Sequence, residues 1–153
     1  LRAFNIDTHL KSHFPLTSRL IDMSPCTTAY FSVLEPGVSI PPHRGIYKGV
    51  IRYHLGLIIP DQWDQCYLRV EDNILHWREG QEIMFDDLYE HEVVNSTNQT
   101  RVILFLDIKR DFDNGWINLF NSLILYFIRK NPTLAQTITA INTQDYGLKV
   151  KEN

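Results

Sequence analysis

The sequence predicts an all-β fold, a sandwich or jelly roll, followed by a helical C-terminal segment. Three observations carry this. Between residues 27 and 107, apolar and polar residues alternate with a period of two in about seven short runs. Turn formers separate the runs: Pro36-Gly37, Pro60-Asp61, Asp72-Asn73, Glu79-Gly80 and the polar stretch 95–99. Beyond Asp107 the period becomes helical, with Trp116, Leu119, Phe120, Leu123, Ile124, Phe127 and Ile128 at i, i+3, i+4 spacing. Short strands without intervening helices argue against a parallel α/β sheet.

The N-terminal 24 residues are mixed. A short helical turn is expected at 7–11 and another from Pro15, with Thr17 or Ser18 as its N-cap. A strand follows at 27–34. The strongest alternation lies at 49–59, where Ile51, Tyr53, Leu55, Leu57 and Ile59 form one face and Arg52, His54 and Gly56 the other. Further strands are expected at 66–71, 74–77, 82–85, 91–95 and 100–107. The helix from Trp116 stops at Asn131-Pro132, and a weaker one is expected at 132–141. We therefore expect one domain over 1–153, with its β core at about 27–111 and its C-terminal helical segment at about 114–142.

A chain of 153 residues is long enough for a sizeable core. Its net charge of −3 gives no basic field for nucleic acid. Cys26 and Cys66 lack CxxC spacing, as free thiols in a reducing compartment would. The expected location is cytoplasmic, with or without membrane association. The first residue is Leu1 rather than Met, as in a partial chain. A signal or anchor upstream of it would place the protein in the secretory lumen instead.

Several residues carry possible chemistry. His43 follows Pro41-Pro42 and precedes Arg44-Gly45, a stiffened loop beside a residue that permits close approach. His91 opens an apolar run after Asp86, Asp87 and Glu90. Neutral imidazoles suit Fe(II), but a loop histidine alone more often has no ligand role. No carboxylate stands two residues after His43, where Gly45 lies, so the usual two-histidine, one-carboxylate set is incomplete. Arg52 and His54 either face solvent or line the interior, where they would need an anionic partner. Arg101 precedes the apolar run 102–106 and suits bidentate carboxylate binding, or sits in water as strand-end arginines do. Asp86-Asp87 reads as turn capping rather than metal binding. Trp77 and Phe85 read as core. The sequons at Asn95 and Asn98 read as chance matches.

In order along the chain stand Pro42-His43-Arg44-Gly45, the run Arg52-Tyr53-His54-Leu55-Gly56-Leu57, Trp77-Arg78-Glu79-Gly80, Phe85-Asp86-Asp87, His91-Glu92-Val93 and Arg101 with its apolar strand. This order resembles the aspartyl/asparaginyl β-hydroxylase family over about residues 27–111. The resemblance implies a double-stranded β-helix, a cupin-like jelly roll with flanking N- and C-terminal helices, that uses Fe(II), 2-oxoglutarate and O2. It implies His43 and His91 as metal ligands. Arg101, with Ser32 beside it, would hold the distal carboxylate of 2-oxoglutarate, and Arg52 and His54 would lie near the other end. It implies catalytic roles for His43, His91 and Arg101. In the animal branch, the position of Gly45 is also glycine and water fills the ligand place.

The lipid A acyl-chain hydroxylase branch is also similar, through Cys26-Thr27-Thr28-Ala29, the run from Arg52 to Leu57, Asp107-Ile108-Lys109-Arg110 and the apolar C-terminal helix. Phe85-Asp86-Asp87 and His91-Glu92-Val93 are more similar to the peptide-hydroxylating branch. The expected function is thus an Fe(II)- and 2-oxoglutarate-dependent dioxygenase hydroxylating an unactivated C–H, foremost the β-carbon of an aspartyl or asparaginyl residue. The alternatives are a lipid acyl chain as substrate, a cupin enzyme without 2-oxoglutarate, and a non-catalytic jelly-roll metal-binding module. For the helix at 116–130 two placements are open. It covers a sheet with its Leu119, Leu123 and Phe127 side, which is the expected placement. Otherwise it leaves Ile117, Leu125 and Tyr126 exposed and rests on a membrane with its basic end at the headgroups.

Overall fold

The computed structural model describes residues 1–132 together with Gln136 and Thr139. The helix expected at 132–141 therefore lies largely outside the described residues. The chain forms two compact units, one of Leu1–Ala29 with the segment from Asp111 onward, the other Tyr30–Arg110. The first unit opens with a hairpin, β1 (Arg2–Ala3) against β2 (Ile6–Asp7). Its two turn residues, Phe4 (φ 45°) and Asn5 (φ 64°), are both left-handed, the conformation that two-residue hairpins favour. A 3-10 helix, His9–His13, leads into α1 (Pro15–Met23). The helix begins two residues before the expected caps, with Pro15 in its first turn and Phe14 at the cap position. Ser18 instead donates its hydroxyl hydrogen bond to the Lys11 carbonyl at 2.6 Å. Strand β3 (Cys26–Leu34) follows, and Ala29 pairs with Arg2.

The second unit holds the remaining strands, namely β4 (Ser39–His43), β5 (Val50–Ile58), β6 (Cys66–Val70), β7 (Asn73–His76), β8 (Glu82–Phe85), β9 (His91–Asn95) and β10 (Arg101–Lys109). One sheet runs β3-β10-β5-β8 and the other β4-β9-β6-β7. Residues of both sheets meet in the core: Leu34, Phe85 and Ile103 from the first, Cys66, Leu68 and Val93 from the second, with Trp77 fully buried between. This is the jelly roll that the period-two runs predict, cupin-like as the resemblance implies. Both cysteines are buried free thiols.

Strand β4 is absent from the sequence expectation because Pro41 and Pro42 argue against a strand. It is an edge strand with β9 as its one neighbour, and its register shifts between Ile40 and His43, so the missing amides cost little. In β5 the polar face is the interior one. His54 is 4% exposed, whereas Leu57, on the apolar face, is 37% exposed. Gly56 is needed because a Cβ there would lie 2.1 Å from the Arg78 carbonyl oxygen. The first sequon is structural. Asn95 is wholly buried, and its amide donates to the carbonyls of Leu34, Glu35 and Gln99.

Helix α2 (Gly115–Arg129) belongs to the first unit and is capped by Asn114, whose side chain accepts from the amides of Trp116 (2.9 Å) and Ile117 (3.4 Å). The expected burial of its Leu119, Leu123 and Phe127 side is overturned. All three are exposed, and the buried positions are Asn121 and Leu125. Periodicity placed a stripe on one face correctly but could not say which face the fold covers.

Candidate functional site

His43 ends β4 and His91 begins β9, and the two are register partners across the sheet. Their rings lie 4.2 Å apart between centroids. Each Nδ1 sits 2.9 Å from a backbone carbonyl, that of Pro41 for His43 and that of Tyr89 for His91. A carbonyl only accepts, so each Nδ1 carries the proton and each Nε2 presents a lone pair, the orientation typical of metal-ligating imidazoles. Burial, then the nearby His43 and Arg52, hold His91 below the usual histidine pKa, which keeps that lone pair available at neutral pH.

Among the described residues, no group of three His, Cys, Asp or Glu side chains is placed to hold a metal. Two imidazoles with fixed tautomers fit an iron whose remaining positions go to exogenous ligands. Gly45 donates its amide to the Asp87 carbonyl at 2.7 Å, and a Cβ on Gly45 would fall 2.1 Å from Asp87 Oδ2. The space for a side chain at position 45 is thus filled by the Asp87 carboxylate. Sequence reasoning treated Asp86 and Asp87 as one capping pair, but they divide. Asp86 caps its turn through the Leu88 amide and pairs with Arg110 at 2.6 Å. Asp87 is buried and pairs with Arg52 at 2.9 Å, leaving Oδ1 without a partner. The Phe85-Asp86-Asp87 motif was visible, but nothing in it separated these roles.

A cavity of about 140 Å³ opens beside the histidines. It is lined by His43, His91, Ser32, Arg52, His54 and Arg101 and by Tyr30, Ile40, Phe85, Val93, Ile103 and Phe105. Every sequence-predicted site residue therefore lines one cavity. The apolar members were not predicted, because sequence alternation does not show which core positions border a void. The two guanidinium groups differ. Arg52 lies between Asp87 and Asp107, with its Nε donating to Asp107 at 3.2 Å. Asp107 stands directly opposite it on β10. Arg101 is 2% exposed, has its Cζ 4.8 Å from the centre of the Trp77 ring, and donates only a long 3.5 Å bond to Ser32 Oγ. Its Nε has no partner, and burial pulls its pKa down to about 10. His54 is caged by Trp77, Phe85 and Phe105 with neither ring nitrogen bonded, and burial, then Arg101 and Arg52, lower its pKa to about 3. A buried cation with unmet donors beside a neutral imidazole is a binding place for a carboxylate.

The family model for aspartyl/asparaginyl β-hydroxylase matches residues 3–111. The chain belongs to that family. Family members depend on Fe(II) and 2-oxoglutarate, and the two-histidine pair and the unmet Arg101 suit those two groups. An ornithine lipid ester-linked acyl 2-hydroxylase of Rhizobium tropici is 54% identical over 81 residues, covering 53% of this chain and 29% of the relative. The human aspartyl/asparaginyl beta-hydroxylase is 34% identical over 100 residues, covering 61% of this chain and 13% of the relative. The chain thus spans less than a third of the length of either. Among solved structures, a Cupin_2 domain of an XRE family transcriptional regulator from Enterobacter cloacae superposes with a TM-score of 0.45 at 14% identity, covering 54% of this chain and 81% of that one.

Proposed function

We propose that the chain is the catalytic part of an Fe(II)- and 2-oxoglutarate-dependent hydroxylase acting on a lipid acyl chain. His43 and His91 would hold the iron through Nε2, and Gly45, whose side-chain space the Asp87 carboxylate fills, would supply no ligand of its own. Arg101 and Ser32 hold the distal carboxylate of 2-oxoglutarate, with Arg52 and His54 toward its other end. Bound iron with 2-oxoglutarate and O2 supplies the oxidising power that turns C–H into C–OH, with succinate and CO2 as the other products. The chain's own residues bind, orient and exclude water. Carbonyls of Pro41 and Tyr89 fix the imidazole tautomers, Arg52 holds Asp87 and Asp107, and the aromatic cage keeps His54 neutral.

The observation that carries the substrate reading is the charge count of the cavity. Arg52 and Arg101 are its two guanidinium groups, and Arg52 is already met by two carboxylates. Arg101 is taken by the cosubstrate, so no lining cation is left for an aspartyl carboxylate. The rest of the lining, Ile40, Phe85, Val93, Ile103 and Phe105, suits an alkyl chain. The higher identity to the ornithine lipid hydroxylase supports the same reading. Free buried thiols suit a reducing, cytoplasmic setting. The second reading, a peptide β-carbon, is favoured by the Phe85-Asp86-Asp87 and His91-Glu92-Val93 motifs. Incubation with Fe(II), 2-oxoglutarate and either detergent-dispersed ornithine lipid or an aspartyl peptide separates the two. We expect the lipid to gain one oxygen atom by mass spectrometry. Oxygen gained by the peptide alone overturns the lipid reading.

A further inference from the structure

Helix α2 leaves most of its large apolar side chains exposed. From Gly115 to Arg129 it carries no charge before its last residue. Its buried positions are Asn121 and Leu125, with Asn118, Ser122, Ile124 and Ile128 half-buried beside them. Its exposed stripe is Trp116, Leu119, Phe120, Leu123 and Phe127, at spacings of i, i+3, i+4, i+7 and i+11. A helix on the surface of a protein in water normally shows the reverse order, apolar in and charged out. A second helix of the same unit also exposes apolar side chains, alongside the exposed charges Arg19 and Asp22. Helix α1 buries Ser18 and Ile21 and exposes Leu16, Leu20 and Met23 around Arg19.

We infer that this unit docks on an anionic lipid bilayer through the exposed stripe of α2, assisted by that of α1. The inference rests on the acyl-chain reading above, since such a substrate resides in a bilayer and must be met at its surface. Length decides between lying on and crossing. The helix has 15 residues, short of the roughly 20 needed to span. Among the described residues, no helix is long and apolar enough to cross a membrane. Charge sets the polarity. Exposed Arg129 and Lys130 end the helix and exposed Arg19 sits within the α1 stripe, all suited to anionic headgroups. Trp116 and Tyr126 are the aromatic types that settle at such interfaces.

The test is flotation of the whole chain with vesicles of phosphatidylcholine alone and with phosphatidylglycerol added. The chain is expected to float, and more strongly with the anionic lipid. Phe120→Glu with Phe127→Glu is expected to cut the bound fraction about tenfold by removing buried apolar area. Arg129→Glu with Lys130→Glu is expected to abolish the gain from anionic lipid, and carries the test if the first pair fails to fold. Neither pair should change succinate formation from 2-oxoglutarate in detergent-free buffer. No flotation on either vesicle overturns the docking. So does a solution dimer that Phe120→Glu dissociates, since the stripe then belongs to a second copy. Absent flotation with detergent-dispersed lipid still hydroxylated removes the docking and leaves the proposed function standing. Flotation without lipid hydroxylation supports the docking and removes the acyl-chain substrate.

Discussion

Arg52 and Arg101 line the same cavity but face opposite electrostatic circumstances. Arg52 lies between Asp87 and Asp107, both buried, so its charge is met within the protein. Arg101 is more deeply buried, touches Ser32 at 3.5 Å and the Trp77 face, and has an unbonded Nε. A cation of this kind costs stability unless something meets it. The first guanidinium is thus met by the fold itself, while the second keeps a buried donor that no protein group meets.

Iron should give the largest effect. His43→Ala leaves one protein imidazole in place of two, and we expect turnover to vanish and Fe(II) affinity, read by calorimetry under anaerobic conditions, to fall beyond detection. Full turnover in that variant would place the metal elsewhere. Next come the paired arginine substitutions. Arg52→Met removes the cation that meets buried Asp87 and should lose roughly 3–5 kcal/mol of unfolding free energy. Arg101→Met strands nothing and should fold at least as stably as the parent. Its 2-oxoglutarate requirement should rise by the loss of a charge-assisted contact, on the order of 1.5–3 kcal/mol. Urea midpoints and cosubstrate titrations read both, and equal destabilisation by the two would erase the distinction drawn between them.

The smallest effect concerns acid. His54 is neutral in the fold down to about pH 3, whereas in the unfolded chain it takes up a proton below the ordinary value of 6.5. In that window the unfolded state binds more protons, so stability falls as pH drops, by about 1.4 kcal/mol per unit at most. Between pH 7 and pH 5 the parent should therefore lose about 2 kcal/mol through this group. His54→Phe, which suits the aromatic cage, should remove that part of the loss. Matching urea midpoints for parent and variant at both pH values would show that His54 is hydrated or paired.

Much of this was legible in the chain, for physical reasons. Period-two alternation at 49–59 reports strand β5 because one face packs differently from the other, but it does not report which face is interior. The polar face proved to be inside, where it lines the cavity. Strand β4 was hidden by Pro41 and Pro42, whose exclusion from strands lapses at an edge. The motif residues converge on one cavity, as the resemblance implied. The pairing of Arg52 with Asp107 was illegible, since it depends on the β5–β10 register, and so was the place of Asp87 against Gly45. Helix α2 was legible as a helix but not in its orientation, because apolar periodicity looks the same whether the stripe meets a sheet or solvent.

On the proposed function, Arg101 awaits the carboxylate of 2-oxoglutarate beside an iron held by His43 and His91. Uncoupled turnover tests it without any knowledge of the substrate. The purified chain is incubated with Fe(II), ascorbate, O2 and 2-oxoglutarate, and succinate is measured. We expect slow succinate formation that His43→Ala and His91→Ala abolish and that Arg101→Met restores only at raised 2-oxoglutarate. No succinate, together with no 2-oxoglutarate binding in the presence of iron, would contradict the account and leave a cupin of another chemistry or a binding module in its place.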